Sequence, residues 1–170
     1  MMADFNAIEG IPFSRAKFGR ALKQLLADPS LGLVPLFLVR REIVGYAVVT
    51  YNFDLEWGGR DAFITEFYIK PEHRRLGYGA QAMALLEKLA RRNKVKALHL
   101  GVRRENVAAA RLYEKAGFTD WTRRVMMKVL KGFYRQGRQD RQELPAARNF
   151  REGTANHASS FSWRPWRTWR

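Results

Sequence analysis

The chain contains no cysteine. That absence excludes disulfides, a thiolate nucleophile and any cysteine-based zinc centre, and leaves only His73, His99 and His157 as sources of imidazole. No metal site is expected. Long apolar runs are missing too: nothing approaches the roughly 18 consecutive apolar residues that a membrane span requires. The start, Met1-Met2-Ala3-Asp4-Phe5, lacks the basic, apolar and small-residue order of a secretory signal, so a cytoplasmic location is expected. Acids are scarce, with 16 Asp and Glu against 31 Lys and Arg, a formal charge of +15. Such an excess favours anionic partners, whether a phosphorylated cofactor, nucleic acid or an acidic membrane surface, or else serves only to keep the surface solvated.

The 170 residues suit one globular domain, and a hydrophobic content of 46% is enough for a sizeable core. Ser14 stands where a helix cap is needed, before Phe18, Leu22, Leu25 and Leu26 at helical spacing, and the helix should stop near Asp28-Pro29. Residues 35–39 and 43–51 read as two strands joined through Arg40-Arg41-Glu42, and 61–69 as a third. Residues 4–11 have little strand character. The clearest helix covers 77–92, with Met83, Leu86, Leu89 and Ala90 on one face. A strand over 95–102, a helix over 106–116 closed by Gly117, and a last strand over 119–129 follow. Strands and helices alternate in mid-chain, which predicts an α/β domain with a mixed central sheet flanked by helices and at least one parallel crossover. Beyond Leu130 the sustained apolar periodicity ends. Residues 131–170 read as a basic, Trp- and Arg-rich tail with the composition of a disordered segment, set apart from a domain at 1–130.

One turn carries chemistry. In Arg74-Arg75-Leu76-Gly77-Tyr78-Gly79 the glycines sit between a strand and a strong helix, where they permit positive φ and a close backbone approach. The first turn of the helix offers unpaired N–H groups and the positive end of its dipole. A diphosphate fits such a place, although an isolated Gly-x-Gly is also compatible with an ordinary tight turn. It is neither a dinucleotide fingerprint, since Ala82 stands where the third glycine would be, nor a P-loop.

Three stretches in order and spacing resemble the GNAT superfamily of N-acetyltransferases over about residues 14–129. They are Phe67 to Gly79 around the Arg-x-x-Gly-x-Gly pattern, Val102 to Phe118 with its Asn, Leu-Tyr-Glu-Lys and Gly-Phe, and Gly58 to Tyr68 upstream. The resemblance implies an acetyl-CoA-dependent acyltransferase that acetylates a primary amine by direct attack within a ternary complex. Acetyl-CoA would be cosubstrate, with no metal. It implies that backbone N–H groups from Arg74, Arg75, Leu76, Gly77, Tyr78, Gly79 and Ala80 hold the pyrophosphate. The pantetheine would lie along Phe67, Tyr68 and Ile69, where its amides pair like an extra strand, and a backbone N–H near Ile69 would meet the acetyl carbonyl.

By the same resemblance Tyr113 is the general acid for the departing CoA sulfur, or else a core aromatic with a satisfied hydroxyl. Glu66 accepts the amine proton directly or through water, binds a substrate ammonium, or makes a structural ion pair. Asn106 caps its helix or holds the cofactor, and Arg75, Arg111 or Lys115 meets an outer phosphate or is merely solvated. The family normally opens with a strand, for which residues 4–11 are the only candidate, so that either this strand is short or the N-terminus is abbreviated. The Asn-to-Gly-Phe signature is also similar to that of ribosomal-protein N-terminal acetyltransferases, so a protein N-terminus or lysine is the alternative acceptor. A reading of a different class makes the tail a polyanion binder, with indoles stacking on bases and arginines meeting phosphates. The sequence leaves the oligomeric state open, a dimer included.

Overall fold

The structure, a computed structural model, describes residues 1–130. The basic tail expected over 131–170 lies outside the described residues. The elements are α1 (Met2–Ile8), α2 (Arg15–Ala27), β1 (Gly32–Leu33), β2 (Leu36–Val39), β3 (Glu42–Asp54), β4 (Gly59–Ile69), a 3₁₀ turn (Pro71–His73), α3 (Tyr78–Arg92), β5 (Leu98–Leu100) and α4 (Val107–Lys115). They form a mixed sheet in the order β1-β3-β4-β5, and β2 follows β1 along the same edge of β3. Pro35 separates β1 from β2. It has no N–H to give a ladder, yet its carbonyl accepts from Ala47 N at 3.0 Å, so the edge stays paired through the break.

The expected hairpin is present with a two-residue turn. Arg40 and Arg41 both adopt positive φ, 47° and 72°, which matches the right-handed twist of β2 and β3 and brings Val39 opposite Glu42. β3 and β4 pair antiparallel over the longest ladder of the described residues, with a bulge between Val48 and Val49 that leaves Thr65 as the extra residue of β4. α3 then carries the chain across the sheet, and β5 returns parallel to β4. That is the parallel crossover predicted from the sequence.

One sheet face buries Ala47, Val49, Ala62 and Ile64 against Ala82, Met83, Leu86 and Ala90 of α3. Leu86 is 2% exposed, and burying such a side chain contributes roughly 1.5–3 kcal/mol. The other face buries Tyr46, Val48 and Tyr68 under Phe5 of α1 and Leu25 of α2. Ser14 caps α2 by accepting from Lys17 N, as expected, but no residue of α2 is fully buried. Its apolar stripe is shallow.

Two expectations are corrected. The opening segment is a helix, Met2–Ile8, and not a strand. Buried Asn6 explains part of this: its amide nitrogen donates to Met2 O at 2.8 Å, a bond that closes one helical turn. The last strand is also absent, for residues 119–130 form no regular element. The alternating set of Trp121, Val125, Met127 and Val129 is interrupted by Arg123, whose charge pairs with Glu56. Its Val125, Met126 and Met127 are about four-fifths exposed. What fastens the segment instead is Trp121 stacked on His99 at 4.8 Å and Arg123 paired with Glu56 at 2.7 Å.

Candidate active site

β5 pairs with β4 only from Ala62 to Ile64. Beyond that point Thr65 to Ile69 continue without a β5 neighbour, because the strands part. Lys70 N donates to Val44 O at 2.9 Å, which turns Lys70 toward β3. By strand alternation, the N–H and carbonyl of Ile69 therefore face away from β3, into the space that β5 has left. The Ile69 carbonyl is taken by Arg74 Nε at 2.8 Å, and the same guanidinium lies 5.5 Å over the Tyr68 ring.

The turn that follows holds two left-handed residues, Arg75 at φ 63° and Gly77 at φ 81°. An arginine in that region costs roughly 1–2 kcal/mol, so the shape is imposed by its surroundings. Gly77 is also the N-cap of α3 and provides no side-chain cap. α2 and α4 are both capped, by Ser14 and by Asn106, whose Oδ1 accepts from Ala109 N at 3.2 Å. The first amides of the fifteen-residue α3 thus remain open, at the positive end of its dipole. Gly79 lets α3 approach α4 closely, since a Cβ there would stand 3.1 Å from Leu112 Cδ2.

These parts border one cavity of about 970 Å³. Of the residues expected to hold the cofactor, Phe67, Tyr68, Ile69, Arg74, Arg75, Gly77, Gly79, Ala80, Asn106 and Tyr113 all line it. Arg111 and Lys115, one helical turn apart on α4, line it as well. Leu76 and Tyr78 do not; Leu76 is exposed, and the Tyr78 ring lies 6.2 Å from that of His73.

Tyr113 is held by a Schellman closure of α4. Gly117, at φ 89°, donates to Glu114 O, and Phe118 N donates to Tyr113 O, both at 3.0 Å. The Tyr113 ring meets Phe118 and, on its other side, Phe67 of β4 at 6.2 Å. Burial first, and the charge of Glu9 second, push its phenol up to about 12. Among the described residues its hydroxyl has no hydrogen-bond partner.

Glu66 is placed differently. It does not line the cavity, and its Oε2 accepts from Tyr46 Oη at 2.5 Å. Burial raises its carboxyl above the ordinary value, against the opposing effect of the Tyr46 hydrogen bond. The bulge residue Thr65 takes a lining position beside it, with Oγ1 bonded to Val48 O. Sequence reasoning missed Thr65, and it missed the wall built by Phe5, Ile8, Glu9 and Ile11. A bulge leaves no mark in composition, and the helical nature of α1 was not read from so short a segment.

A model described as the acetyltransferase (GNAT) family matches residues 1–118. An uncharacterized N-acetyltransferase of Bacillus subtilis (strain 168), YycN, is 34% identical over 117 residues, covering 69% of this chain and 73% of that protein. The chain belongs to the GNAT family. A thialysine N-epsilon-acetyltransferase of Bos taurus is 30% identical over 80 residues, 47% of this chain and 46% of that one, so the match spans about half of it. Among solved structures, an integron cassette protein from the mobile metagenome of Cole Harbour Salt Marsh superposes with a TM-score of 0.68 at 30% identity, covering 77% of this chain and 81% of the other.

This GNAT protein is accordingly an acyltransferase, of a family that normally uses acetyl-CoA. The site fits that compound on its own terms. Open amides at a helix N-terminus, with Arg75, Arg111 and Lys115 around the same cavity, suit a diphosphate. A strand edge facing the cavity suits a chain of amides. Among the described residues no group of three or more His, Asp or Glu side chains could hold a metal, and no helix is long and apolar enough to cross a membrane.

Proposed function

We propose that the protein transfers the acetyl group of acetyl-CoA to a primary amine, both substrates being bound together so that the amine attacks directly. The observation that carries this reading is the convergence of three features on one cavity: the uncapped start of α3, the open edge of β4, and the partly buried Tyr113. Acetyl-CoA would supply an activated acyl thioester and a thiolate leaving group.

The chain's own residues supply position and proton control. Main-chain N–H groups from Arg75 to Ala80 hold the diphosphate, the Arg74 N–H being donated to Pro71 O at 3.1 Å, with Arg75, Arg111 and Lys115 neutralising phosphate charge. Phe67, Tyr68 and Ile69 hold the pantetheine, and the Ile69 N–H is the donor available to an acyl oxygen. Asn106 serves through its cap, which fixes the start of α4 and so the height of Tyr113.

Tyr113 is the proton donor. Burial keeps its Oη–H intact at every pH where an amine nucleophile works, and the lack of an acceptor among the described residues leaves that proton available. Glu66 is the base, acting through water because its carboxylate does not reach the cavity wall. Its raised affinity for protons suits it to receive one from an ammonium. The thialysine-acetylating relative supports a flexible primary amine as acceptor. The test is release of free CoA from acetyl-CoA over polyamines, amino acids, aminoglycosides and basic peptides. The reading expects turnover with at least one primary amine and none with tertiary amines, and uniform silence would refute it.

A further inference from the structure

The cavity has one end that neither the diphosphate turn nor the β4 edge explains. There α1 and the residues after it bring Phe5, Ile8 and Ile11 to the wall, and among these apolar side chains stands Glu9, half-buried. Glu9 is the C-cap of α1, and Gly10 follows with φ 65°, so the chain turns away at that point.

The position is fastened from across the fold. Arg103, in the connection from β5 to α4, donates from Nη1 to the main-chain carbonyl of Glu9 at 3.2 Å, while its Nε pairs with Glu105 at 3.7 Å. The nearest guanidinium is thereby occupied with other acceptors. Arg74 is likewise committed to Ile69 O. Among the described residues no hydrogen bond or ion pair meets the Glu9 carboxylate. Glu9 and Tyr113 both line this cavity, and the charge of Glu9 adds to burial in raising the Tyr113 phenol. A partly buried carboxylate that no protein cation meets is a seat for an incoming one.

The identity of that cation follows from the chemistry. The nitrogen that attacks a thioester must be neutral, whereas a carboxylate beside it would hold it protonated. A charge bound by Glu9 therefore belongs on a second nitrogen. We infer that Glu9 is the specificity determinant of the acceptor end, holding the unreacted ammonium of an aliphatic diamine while Phe5, Ile8 and Ile11 cover its carbons. This rests on the acetyl-transfer reading above. A free carboxylate on the acceptor near that ammonium would be repelled.

The experiment compares 1,5-diaminopentane with 1-aminopentane as acceptors for the full-length parent, Glu9→Gln and Glu9→Asp. Calorimetry of each amine in the presence of CoA runs alongside. The parent should favour the diamine by about tenfold in kcat/KM, the difference lying in KM. Glu9→Gln should abolish that preference, and Glu9→Asp should restore part of it. Equal use of both amines by the parent, or an undiminished diamine preference in Glu9→Gln, would overturn the assignment while leaving acetyl transfer intact. If no amine is acetylated yet the parent, and not Glu9→Gln, binds the diamine by calorimetry, then the transfer reading fails and the Glu9 site stands.

Discussion

Tyr46 Oη donates to Glu66 Oε2 at 2.5 Å across the β3–β4 ladder, where Tyr46 faces Tyr68 and Glu66 faces Val48. The two are diagonal neighbours on the face covered by α1 and α2. The bond spans the pair at the bulge, next to the open edge of β4. Burial and this bond together raise the Tyr46 phenol, which makes it a permanent donor.

Glu66→Gln separates chemistry from stability. Burial places the Glu66 carboxyl above its ordinary value of 4.5, so as pH rises past that value the unfolded chain ionises first and the fold loses stability. At neutral pH a glutamine removes this loss and still accepts from Tyr46. The melting temperature should therefore hold or rise, while kcat falls and the acid limb of its pH profile, which in the parent lies above the glutamate range, disappears. A lower melting temperature with unchanged kcat would make Glu66 purely structural.

Tyr113→Phe keeps both ring contacts, with Phe67 and Phe118, and deletes only the hydroxyl. Turnover should fall by roughly 10²-fold, within the range for loss of a general acid, with acetyl-CoA affinity little altered. Because the phenol titrates near 12, the parent should show no alkaline loss from this group below pH 10, and the stability that its burial lends should decline only between about 10 and 12. Steady-state rates and melting curves across pH check both limbs. Parental turnover in the variant would remove Tyr113 from the mechanism.

Two glycines should respond in opposite ways. A Cβ on Gly45 would stand 2.3 Å from Tyr68 O, a main-chain atom of the paired strand, so Gly45→Ala should cost more than about 3 kcal/mol in denaturant unfolding. A Cβ on Gly77 would meet only the Gln81 side chain, at 4.0 Å, so its left-handed φ is what a substitution would disturb. Gly77→Ala should cost about 1–2 kcal/mol and weaken acetyl-CoA more than it weakens the fold, since the turn shapes the amides. Equal effects on both properties in both variants would contradict this division.

The imidazole of His99 lies between the buried carboxylate of Asp61, 3.3 Å away, and the Trp121 ring stacked on it. His99→Ala should destabilise more than Trp121→Ala, by about 1–3 kcal/mol, because it leaves Asp61 buried without its neighbour. It should also free residues 119–123, seen as faster amide exchange there. The reverse order of melting temperatures would show that the tryptophan does the anchoring.

Much of the site was legible because the residues that build it do so through local backbone chemistry. Gly77 and Gly79 mark the turn, Asn106 the cap of α4 and Gly117 the Schellman closure that holds Tyr113. The periodicity of Met83, Leu86 and Ala90 fixes how α3 lies on the sheet. Long-range consequences were not legible. Whether Glu66 faces the cavity depends on a one-residue bulge at Val48, and the helix at Met2–Ile8 rests on Asn6, whose closing bond carries no hydrophobic period. Residues 119–130 pair with no strand despite their β-propensity, which does not report whether a partner edge is offered.

Acetyl transfer as proposed requires that the open amides at the start of α3 hold a diphosphate beside the β4 edge. Calorimetric titration of the folded protein with acetyl-CoA, repeated with Gly77→Ala, tests it most directly. A saturable 1:1 heat for the parent that weakens in the variant is the predicted result. No heat with a parent protein whose melting curve is cooperative would contradict it.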